Sequence, residues 1–304
     1  MTTLPEETAA RDPESPVDTD VVVVGGGAAG LSAAVFLARY GLETLVLARG
    51  KSAIDQCAHL ENYLGFPGGI SPERFLALGE AHAEHEGATV EATLVEHVER
   101  HEVGFRVETQ NEDAYRTQYV LVASAYDGSY LDPLAPASDD DEGFLLTDDG
   151  RTSVDGLYAA GWLTRDTVHQ PIVNAGDGAR TAITLARDDL SERYWPEIGE
   201  RYVDWVVDEN RYGGEGWHDD VDDWFDREIA PGAPAEMDEA AIDAVRAELK
   251  SAYLDRGLPA GERECRERVG QRLVLEAFDD DVILAYAAEL TTDHHRPEDL
   301  ARDG

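Results

Sequence analysis

The sequence predicts an α/β fold in which a parallel central sheet, extended by a β-meander, is followed by a helical C-terminal extension. Three observations predict this fold. A buried strand, Asp20 to Val24, passes through a glycine-rich turn directly into an apolar helix. Several β segments follow over residues 88–123, and residues 191–304 carry helical patterns without strand signals. We therefore divide the chain into a leader (1–18), an α/β domain (19–190) and an acidic helical C-terminal extension (191–304).

The turn after the first strand has the glycine spacing of a dinucleotide-binding loop. Gly25 allows the sharp turn, and Gly27 lets the backbone approach phosphates because no Cβ stands in the way. Gly30 lets the helix pack closely on the strand. The unpaired N–H groups at the helix start, around Ala28 and Ala29, then face an anion. An ordinary βαβ unit without a ligand is the alternative, but the flanking strand and helix favour a pyrophosphate site.

The rest of the βαβ unit follows at once. Apolar residues at helical spacing predict a helix over residues 28–40 that ends at Gly41, and residues 44–48 form the second strand. In such units an acidic residue at the end of the second strand usually binds the adenosine ribose. Ala48 and Arg49 occupy that place in this chain, which is a departure from the pattern.

The middle of the chain alternates loop, helix and strands. Residues 50–70 are predicted as a loop, and Ser71 with Pro72 predicts the start of a helix that ends at Gly87. Three β segments follow, at residues 88–98, 104–109 and 115–123. Residues 127–151, acidic and rich in proline and glycine, are predicted to be a crossing loop.

The second half of the α/β domain begins with a short buried strand at residues 157–160. A helix with an apolar face is predicted over residues 175–190, and Gly176 and Gly178 near its start permit close approach of backbone or ligand. In the extension we predict helices with aromatic side chains first, then helices near residues 238–254, 261–277 and 280–290.

The chain is strongly acidic, with 64 acidic and 25 basic residues and a formal net charge of −39. The excess of acid is spread over the whole chain, and Lys51 and Lys250 are its only lysines. Because molar salt screens repulsion of this kind, we expect a halophilic protein of the cytoplasm. Binding of cationic partners is the alternative. The charge argues against nucleic acid as a ligand, because binding phosphates needs a basic face.

The remaining composition points to a reducing compartment. Cys57 and Cys265 are the only cysteines, too few for a disulfide framework. No apolar run approaches the roughly 20 residues that span a bilayer, so no membrane contact is expected. Residues 1–18 are polar, contain three prolines and lack a signal pattern, so we expect a disordered leader.

Three blocks occur together in a recognisable order. These are the glycine turn, the loop Glu61-Asn-Tyr-Leu-Gly-Phe-Pro67, and the block Thr152 to Gly161 followed by His169-Gln170 and residues 175–178. Over residues 18–190 they resemble the FAD domain of thioredoxin reductase-like flavoproteins. The resemblance implies a Rossmann-like FAD-binding domain, with FAD as cofactor.

The resemblance also implies where FAD would be held. The first glycine turn would cradle the pyrophosphate, the backbone at Gly161 would lie beside the phosphates and ribityl chain, and the segment after Gln170 would approach the flavin ring. The implied cofactor-binding residues are Gly25, Gly27, Ala28, Ala29, Gly30, Arg49, Gln56, Ala123, Gly161, Trp162, His169, Gln170, Pro171 and Ile172.

The chain departs from the family pattern in its organisation. Family members carry an NAD(P)H-binding domain between the two FAD-binding halves, usually with a Cys-x-x-Cys pair. Here residues 127–151 fill that space, without a second glycine fingerprint or such a pair. Dithiol chemistry needs two thiols within bonding reach. We therefore expect the nicotinamide domain and the dithiol pair to be absent.

Three departures fall on the expected flavin contacts. Trp162 replaces an aspartate whose carboxylate holds a ribityl hydroxyl in the family. Pro171 follows His169-Gln170 where the family has alanine, which removes a backbone N–H. Ala123-Ser124-Ala125 replaces Ala-Thr-Gly at the end of the first half.

Cys57 and His169 are the candidates for chemistry. Cys57 belongs to the loop that runs along the isoalloxazine in the family, and a small packing residue is the alternative. His169 has an ordinary pKa near neutrality, which suits proton transfer, and a structural imidazole is the alternative. Trp162 has two interpretations: it stacks on an aromatic ring system, or it fills the space of a lost flavin. No metal site is expected, since His294-His295 has no third ligand at the usual spacing.

These observations predict an FAD-dependent oxidoreductase without a built-in nicotinamide domain. Its electrons would come from free NAD(P)H, a ferredoxin-like carrier or a partner subunit, and the aromatic extension suggests a homodimer interface. The competing hypothesis is a non-catalytic nucleotide-binding or scaffold protein that keeps the fold. A flavin-binding sensor is a third.

Overall fold

A computed structural model describes residues 17–49, 52–125, 128–139, 143–164, 168–204, 207–208, 215–254 and 257–291. The chain forms two compact units, residues 1–258 and 259–304. Most of the predicted leader, and the His294-His295 pair, lie outside the described residues. Within that leader, Val17 is buried and the Asp18 carboxylate accepts a hydrogen bond from Arg116 at 2.7 Å.

The first unit is built on a seven-stranded sheet in the order β3-β2-β1-β6-β5-β4, with β7 also paired to β6. Its parallel part has near-continuous apolar runs, as expected for strands covered on both faces. Val22, for example, pairs with Leu45 on one side and Val120 on the other. The strands are β1 (Thr19–Val24), β2 (Thr44–Leu47), β3 (Thr89–Glu91), β4 (Val95–Arg100), β5 (Phe105–Thr109), β6 (Ala114–Val122) and β7 (Leu157–Ala159).

The β-meander of β4, β5 and β6 is antiparallel and covers one face of the parallel strands. Phe105 and Val107 pack there with Val22 and Leu45. One prediction was wrong: residues 88–98 form two strands instead of one. β3 pairs in parallel with β2, whereas β4 pairs with β5. A tight turn at Thr93, whose N–H donates to the carbonyl of Glu91 at 2.9 Å, separates them, and strand propensity alone does not reveal such a turn.

Helices cover the other face of the sheet. They are α1 (Ala28–Tyr40), α2 (Pro72–His85) and α3 (Pro171–Arg193). The predicted ends of α1 are confirmed, since Gly41 closes it in the left-handed conformation with φ 100°. The predicted cap of α2 is confirmed as well, because the Ser71 hydroxyl accepts from the Arg74 N–H. The predicted start of α3 at residue 175 was wrong: Pro171 takes the first helical position, where no N–H is needed.

The first unit continues with helices α4 (Pro196–Arg201), α5 (Glu215–Glu228) and α6 (Glu239–Leu254). An apolar cluster holds them, in which the fully buried Trp195 packs with Phe225 and donates its indole N–H to the Ile229 carbonyl at 2.9 Å. Short paired strands, β8 (Val207–Asp208) and β9 (Gly257–Leu258), correct the prediction that this region has none. Each strand is two residues long, which is too short to give a strand pattern in the sequence.

The second unit contains α7 (Ala260–Glu276) and α8 (Asp280–Thr291), close to their predicted bounds. No residue of α7 is buried. Within the described part of the chain, none of the helices has the length and apolar character that crossing a bilayer requires.

Candidate functional site

The carboxyl ends of β1 and β6 lie side by side and open onto a cleft of about 220 Å³. Ligands of open α/β sheets bind at this edge. The cleft brings together the glycine turn and the residues around the end of β7, which are far apart in sequence. It is lined by Gly25, Gly26, Gly27, Ala28, Ala29, Ala48, Arg49, Ser52, Ala53, Ile54, Asp55, Cys57, Leu76, Glu80, Ala123, Ser124, Ala125, Trp162, His169, Pro171 and Asn174.

The glycine turn forms one end of the cleft. Gly25 has φ 118°, and a Cβ built on it would lie 2.7 Å from the carbonyl oxygen of Ala123. A Cβ on Gly30 would lie 1.8 Å from the carbonyl oxygen of Gly25. Only glycine therefore fits here, where α1 packs directly against the turn. Gly27 precedes α1, and no side chain caps the first turn of that helix. The N–H groups there, with the positive end of the helix dipole, are arranged to bind an anion.

Two acidic side chains that the sequence did not assign to the site reach the cleft. Ser52 and Asp55 form a capping box, in which the Asp55 carboxylate accepts from the Ser52 N–H at 2.8 Å. Glu80 reaches the cleft from α2, where burial and then the charge of Glu84 raise its pKa. Arg49, predicted here, does line the cleft. The Ser-x-x-Asp spacing could have predicted the capping box. No sequence pattern indicates that α2 packs beside the cleft and brings Glu80 to it.

The end of β7 forms the neighbouring wall. Gly161 has φ 75°, and its N–H donates to a carboxylate oxygen of Asp177 at 2.7 Å. A Cβ on Gly161 would lie 2.9 Å from the Cβ of Ala29, so the start of α1 and the end of β7 are in close contact. Gly161 is buried and stands behind the lining of the cleft, whereas Trp162 belongs to the lining.

Trp162 and His169 stack on each other at the wall of the cleft. Their ring centroids are 3.6 Å apart and their planes are inclined by 21°. Both residues line the cleft, and His169 is exposed. The stack gives the cleft a flat aromatic surface, which is the kind of surface that packs against a planar ring system.

The start of α3 is tied to the loop that carries Glu61-Asn-Tyr-Leu-Gly-Phe-Pro67. Gln170 precedes the helix, and its side-chain oxygen accepts from the Asn62 amide at 2.7 Å. Pro171 lines the cleft, but Ile172 does not. The predicted residues that lie outside the lining are Gly30, Gln56, Gly161, Gln170 and Ile172.

Asn174, which sequence analysis missed, lies one turn into α3 and lines the cleft. Its side-chain NH₂ donates to the carbonyl of Gln170 at 2.9 Å, while its Oδ1 is buried and has no partner among the described residues. Such an atom costs stability. The uncapped start of α1, by contrast, makes the cleft suited to a ligand that carries a phosphate group.

Cys57 lines the cleft and is a free, exposed thiol. Cys265, also free and exposed, belongs to the second unit. Within the described ranges no cluster of His, Cys, Asp and Glu could hold a metal ion.

Comparison with known proteins identifies the glycine turn and its surroundings. Residues 18–57 match the family model described as FAD binding domain. Thioredoxin reductase of Aquifex aeolicus is 33% identical over 107 residues, which cover 34% of this chain and 33% of that protein. Thioredoxin reductase of Rickettsia bellii is 25% identical over 117 residues, with 38% of each chain covered. The chain thus spans about a third of the length of these relatives.

Solved structures share the fold. A thioredoxin reductase from Gloeobacter violaceus superposes with a TM-score of 0.53 at 17% identity, covering 62% of this chain and 99% of that one. An oxidoreductase from Agrobacterium tumefaciens gives a TM-score of 0.52 at 14% identity, covering 57% and 98%. At these identities the likeness establishes the fold: a Rossmann-like sheet with its β-meander and covering helices.

Proposed function

We propose that this thioredoxin reductase-like, FAD-binding flavoprotein is an oxidoreductase that works through one FAD domain and receives its electrons from a separate donor. The observation that carries the proposal is the convergence of the glycine turn and the Trp162–His169 wall on one cleft. FAD, when bound there, supplies the electron-transfer chemistry, and the protein supplies binding, orientation and electrostatics.

Different residues of the cleft would bind different parts of FAD. The turn at Gly25 and Gly27 and the start of α1 would hold the pyrophosphate, since N–H groups and helix dipole favour an anion there. Glu80, which lines the cleft from α2, would serve the adenosine end in place of the acidic residue missing after β2. At the other end the Trp162–His169 stack would support the flavin ring, and Pro171 would pack beside it.

We infer that the donor is external, either free NAD(P)H or a ferredoxin-like carrier. Only residues 123–151 separate β6 from the block leading to β7, and they contain neither a second glycine fingerprint nor a cysteine pair. Cys57 and His169 line the cleft and are the residues that we would test first for thiol and proton chemistry. The net charge of −39 supports a cytoplasmic role in molar salt.

The visible spectrum of the protein tests this proposal. Purified in about 3 M KCl to screen its charge, the protein should show flavin bands at about 450 nm that bleach on chemical reduction. NADH, NADPH and a reduced ferredoxin, offered separately under anaerobic conditions, should differ in the rate at which they bleach those bands. A colourless protein that also fails to take up added FAD would overturn the proposal.

A non-catalytic FAD-binding scaffold is the second candidate. The observation that favours it is the Trp162–His169 stack, because each ring already has an aromatic partner within the cleft and needs no flavin ring to pack against. A protein that binds FAD, yet whose flavin none of the three donors reduces, would support this candidate.

A further inference from the structure

The second unit carries a large apolar surface that no described residue covers. Residues 282–288 of α8 are all apolar and uncharged, yet none of them is buried. A helix that is apolar on all sides is normally found inside a fold. We define the C-terminal surface as the large apolar side chains of this unit that are at least 44% exposed: Val274, Leu275, Val282, Leu284, Tyr286 and Leu290.

The C-terminal surface occupies two sides of α8. Val282, Tyr286 and Leu290 follow one another at a spacing of four residues and form one stripe along the helix. Leu284 is two residues from Val282 and from Tyr286, which places it about 200° round the helix from them. Within this unit α7 and α8 hardly contact each other, so α7 covers neither side. Covering both sides takes more than one neighbouring helix, as in a helix bundle.

The area of the C-terminal surface is sufficient for a specific interface. About half of each of its six side chains is exposed. Together they present on the order of 500 Å² per chain, which is at the upper end of the apolar patches that monomers carry. Two copies that joined these surfaces would remove roughly 1,000 Å² from water, which is the size at which specific interfaces begin.

The charges of the second unit favour a second copy of the chain as the partner. With 64 acidic and 25 basic residues, two copies repel each other over most of their surface. In α7, however, four arginines balance four glutamates. The helix α8 has three acidic residues and no basic one. Pairing α7 of one copy with α8 of the other therefore sets arginines beside acids twice, as a two-fold symmetric interface requires.

We propose that the C-terminal surface is a dimer interface, on which α7 and α8 of a second copy pack to form a four-helix bundle. A membrane is a poor alternative, because helices that lie on membranes carry lysine and arginine on their polar face, and α8 carries neither. The aromatic cluster of the extension does not supply this interface, since Trp195 and Phe225 are buried within the first unit. The inference is independent of the proposed FAD site.

Sedimentation equilibrium of the full chain in about 3 M KCl tests the proposal, because that salt screens the repulsion between copies. We expect a particle of twice the chain mass of 33.2 kDa. Leu284→Ala/Tyr286→Ala removes one side chain from each side of α8, and alanine preserves the helix. We expect this double variant to raise the dimer dissociation constant at least about 20-fold, in line with two central interface residues.

Leu64→Ala is the matched control, because Leu64 is 85% exposed in a loop of the first unit. It should leave the dimer dissociation constant within about 2-fold of the wild-type value. Hydrogen exchange locates the interface: the amides of residues 280–291 should exchange more slowly as the concentration of the wild-type protein rises, and the double variant should lose this dependence.

Three results would overturn the proposal. The first is a chain that stays monomeric at about 100 µM, well above a micromolar dissociation constant. The second is a dimer that the double variant does not weaken, or that Leu64→Ala weakens equally, since another surface would then join the copies. The third is protection of residues 280–291 that does not depend on concentration, because α8 would then be covered within one chain.

Discussion

The backbone N–H of Gly161 donates to the carboxylate of Asp177 at 2.7 Å, and this bond fixes the end of β7 to α3 beside the cleft. The Asp177 side chain is only 9% exposed and also pairs with Arg180 at 2.6 Å. Asp177→Ala would leave a buried N–H without its acceptor, so we expect a loss of about 1–3 kcal/mol in the free energy of unfolding. Urea unfolding measures it. Asp223→Ala, at an exposed position of α5, should cost less than about 0.5 kcal/mol; equal losses would contradict the assigned bond.

Gly27→Ala tests the phosphate site without disturbing the fold. Gly27 has φ −87°, which alanine adopts, and its Cβ would lie 3.3 Å from the Ser52 Oγ, a contact that a small side-chain shift relieves. The new methyl group would stand where the phosphates approach the backbone. We expect FAD binding to weaken at least about 10-fold, with unfolding free energy within about 0.5 kcal/mol of the wild-type value.

The control for Gly27→Ala is Gly270→Ala, in the exposed middle of α7, where a Cβ would meet nothing within 4 Å. It should leave FAD binding unchanged and stabilise its helix by about 0.5–1 kcal/mol. Unchanged FAD affinity in Gly27→Ala would show that the glycine turn does not contact the phosphates of FAD.

Substitution of Trp162 distinguishes the two interpretations of its indole ring, which either stacks on the flavin or fills the space of a lost flavin. If the Trp162–His169 stack supports the flavin, Trp162→Ala should weaken FAD binding about 2- to 12-fold, the range of one aromatic pair, and Trp162→Phe should largely preserve it. Fluorescence titration of FAD measures both. Tighter FAD binding in Trp162→Ala would mean that the indole occupies the cofactor's place, and would favour the scaffold hypothesis.

We expect a loss of stability at alkaline pH from Tyr119 and Tyr158, which are buried, and from Tyr40, which is partly buried. Burial, and then the carboxylates Asp189 and Asp188 beside them, raise the pKa values of Tyr40, Tyr119 and Tyr158 well above 10. Folding keeps these phenols protonated, so their contribution is complete below pH 10. Above pH 10 the unfolded chain releases their protons first, and the contribution is lost as the pH rises toward the folded pKa values.

The size of this effect is measurable by urea unfolding at several pH values. The free energy of unfolding should fall by up to about 1.4 kcal/mol per pH unit for each such tyrosine above pH 10. Tyr158→Phe should reduce that slope by one such amount. A slope that this variant leaves unchanged would show that Tyr158 titrates alike in the folded and unfolded chains.

Salt should stabilise the protein. A net charge of −39 opposes the compact state, and the screening length falls to roughly 3 Å in 1 M salt. We expect the thermal midpoint to rise as KCl increases from about 0.2 M to 3 M, the range over which that screening length falls. A midpoint that stays level or falls over the same range would contradict adaptation to high salt.

Local signals made much of the fold predictable. The hydrophobic pattern and the placement of glycines predict the strand, turn and helix at residues 19–40. Ser71-Pro72 predicts the start of α2, because a helix cap acts within one turn. The split of residues 88–98 was missed because strand partners are chosen by distant residues. In the same way, Glu80 and Asn174 enter the cleft through the packing of α2 and α3, which no spacing within those helices reveals.

Pro171 has a role in the helix as well as in the cleft. The sequence predicts that it removes a backbone N–H from the flavin side of the cleft. In the structure it occupies the first position of α3, where that N–H would have had no partner within the helix. The same residue therefore sets the point at which α3 begins.

The helix α3 begins at the cleft and continues for 23 residues to Arg193, a length of roughly 35 Å. Its last turns contribute Ala186 and Leu190 to the aromatic cluster around Trp195. A chain trimmed after residue 190 would expose these side chains to water and remove the residues that pack against the C-terminal end of α3. Anyone seeking a minimal flavin-binding fragment should therefore retain the helices through α6.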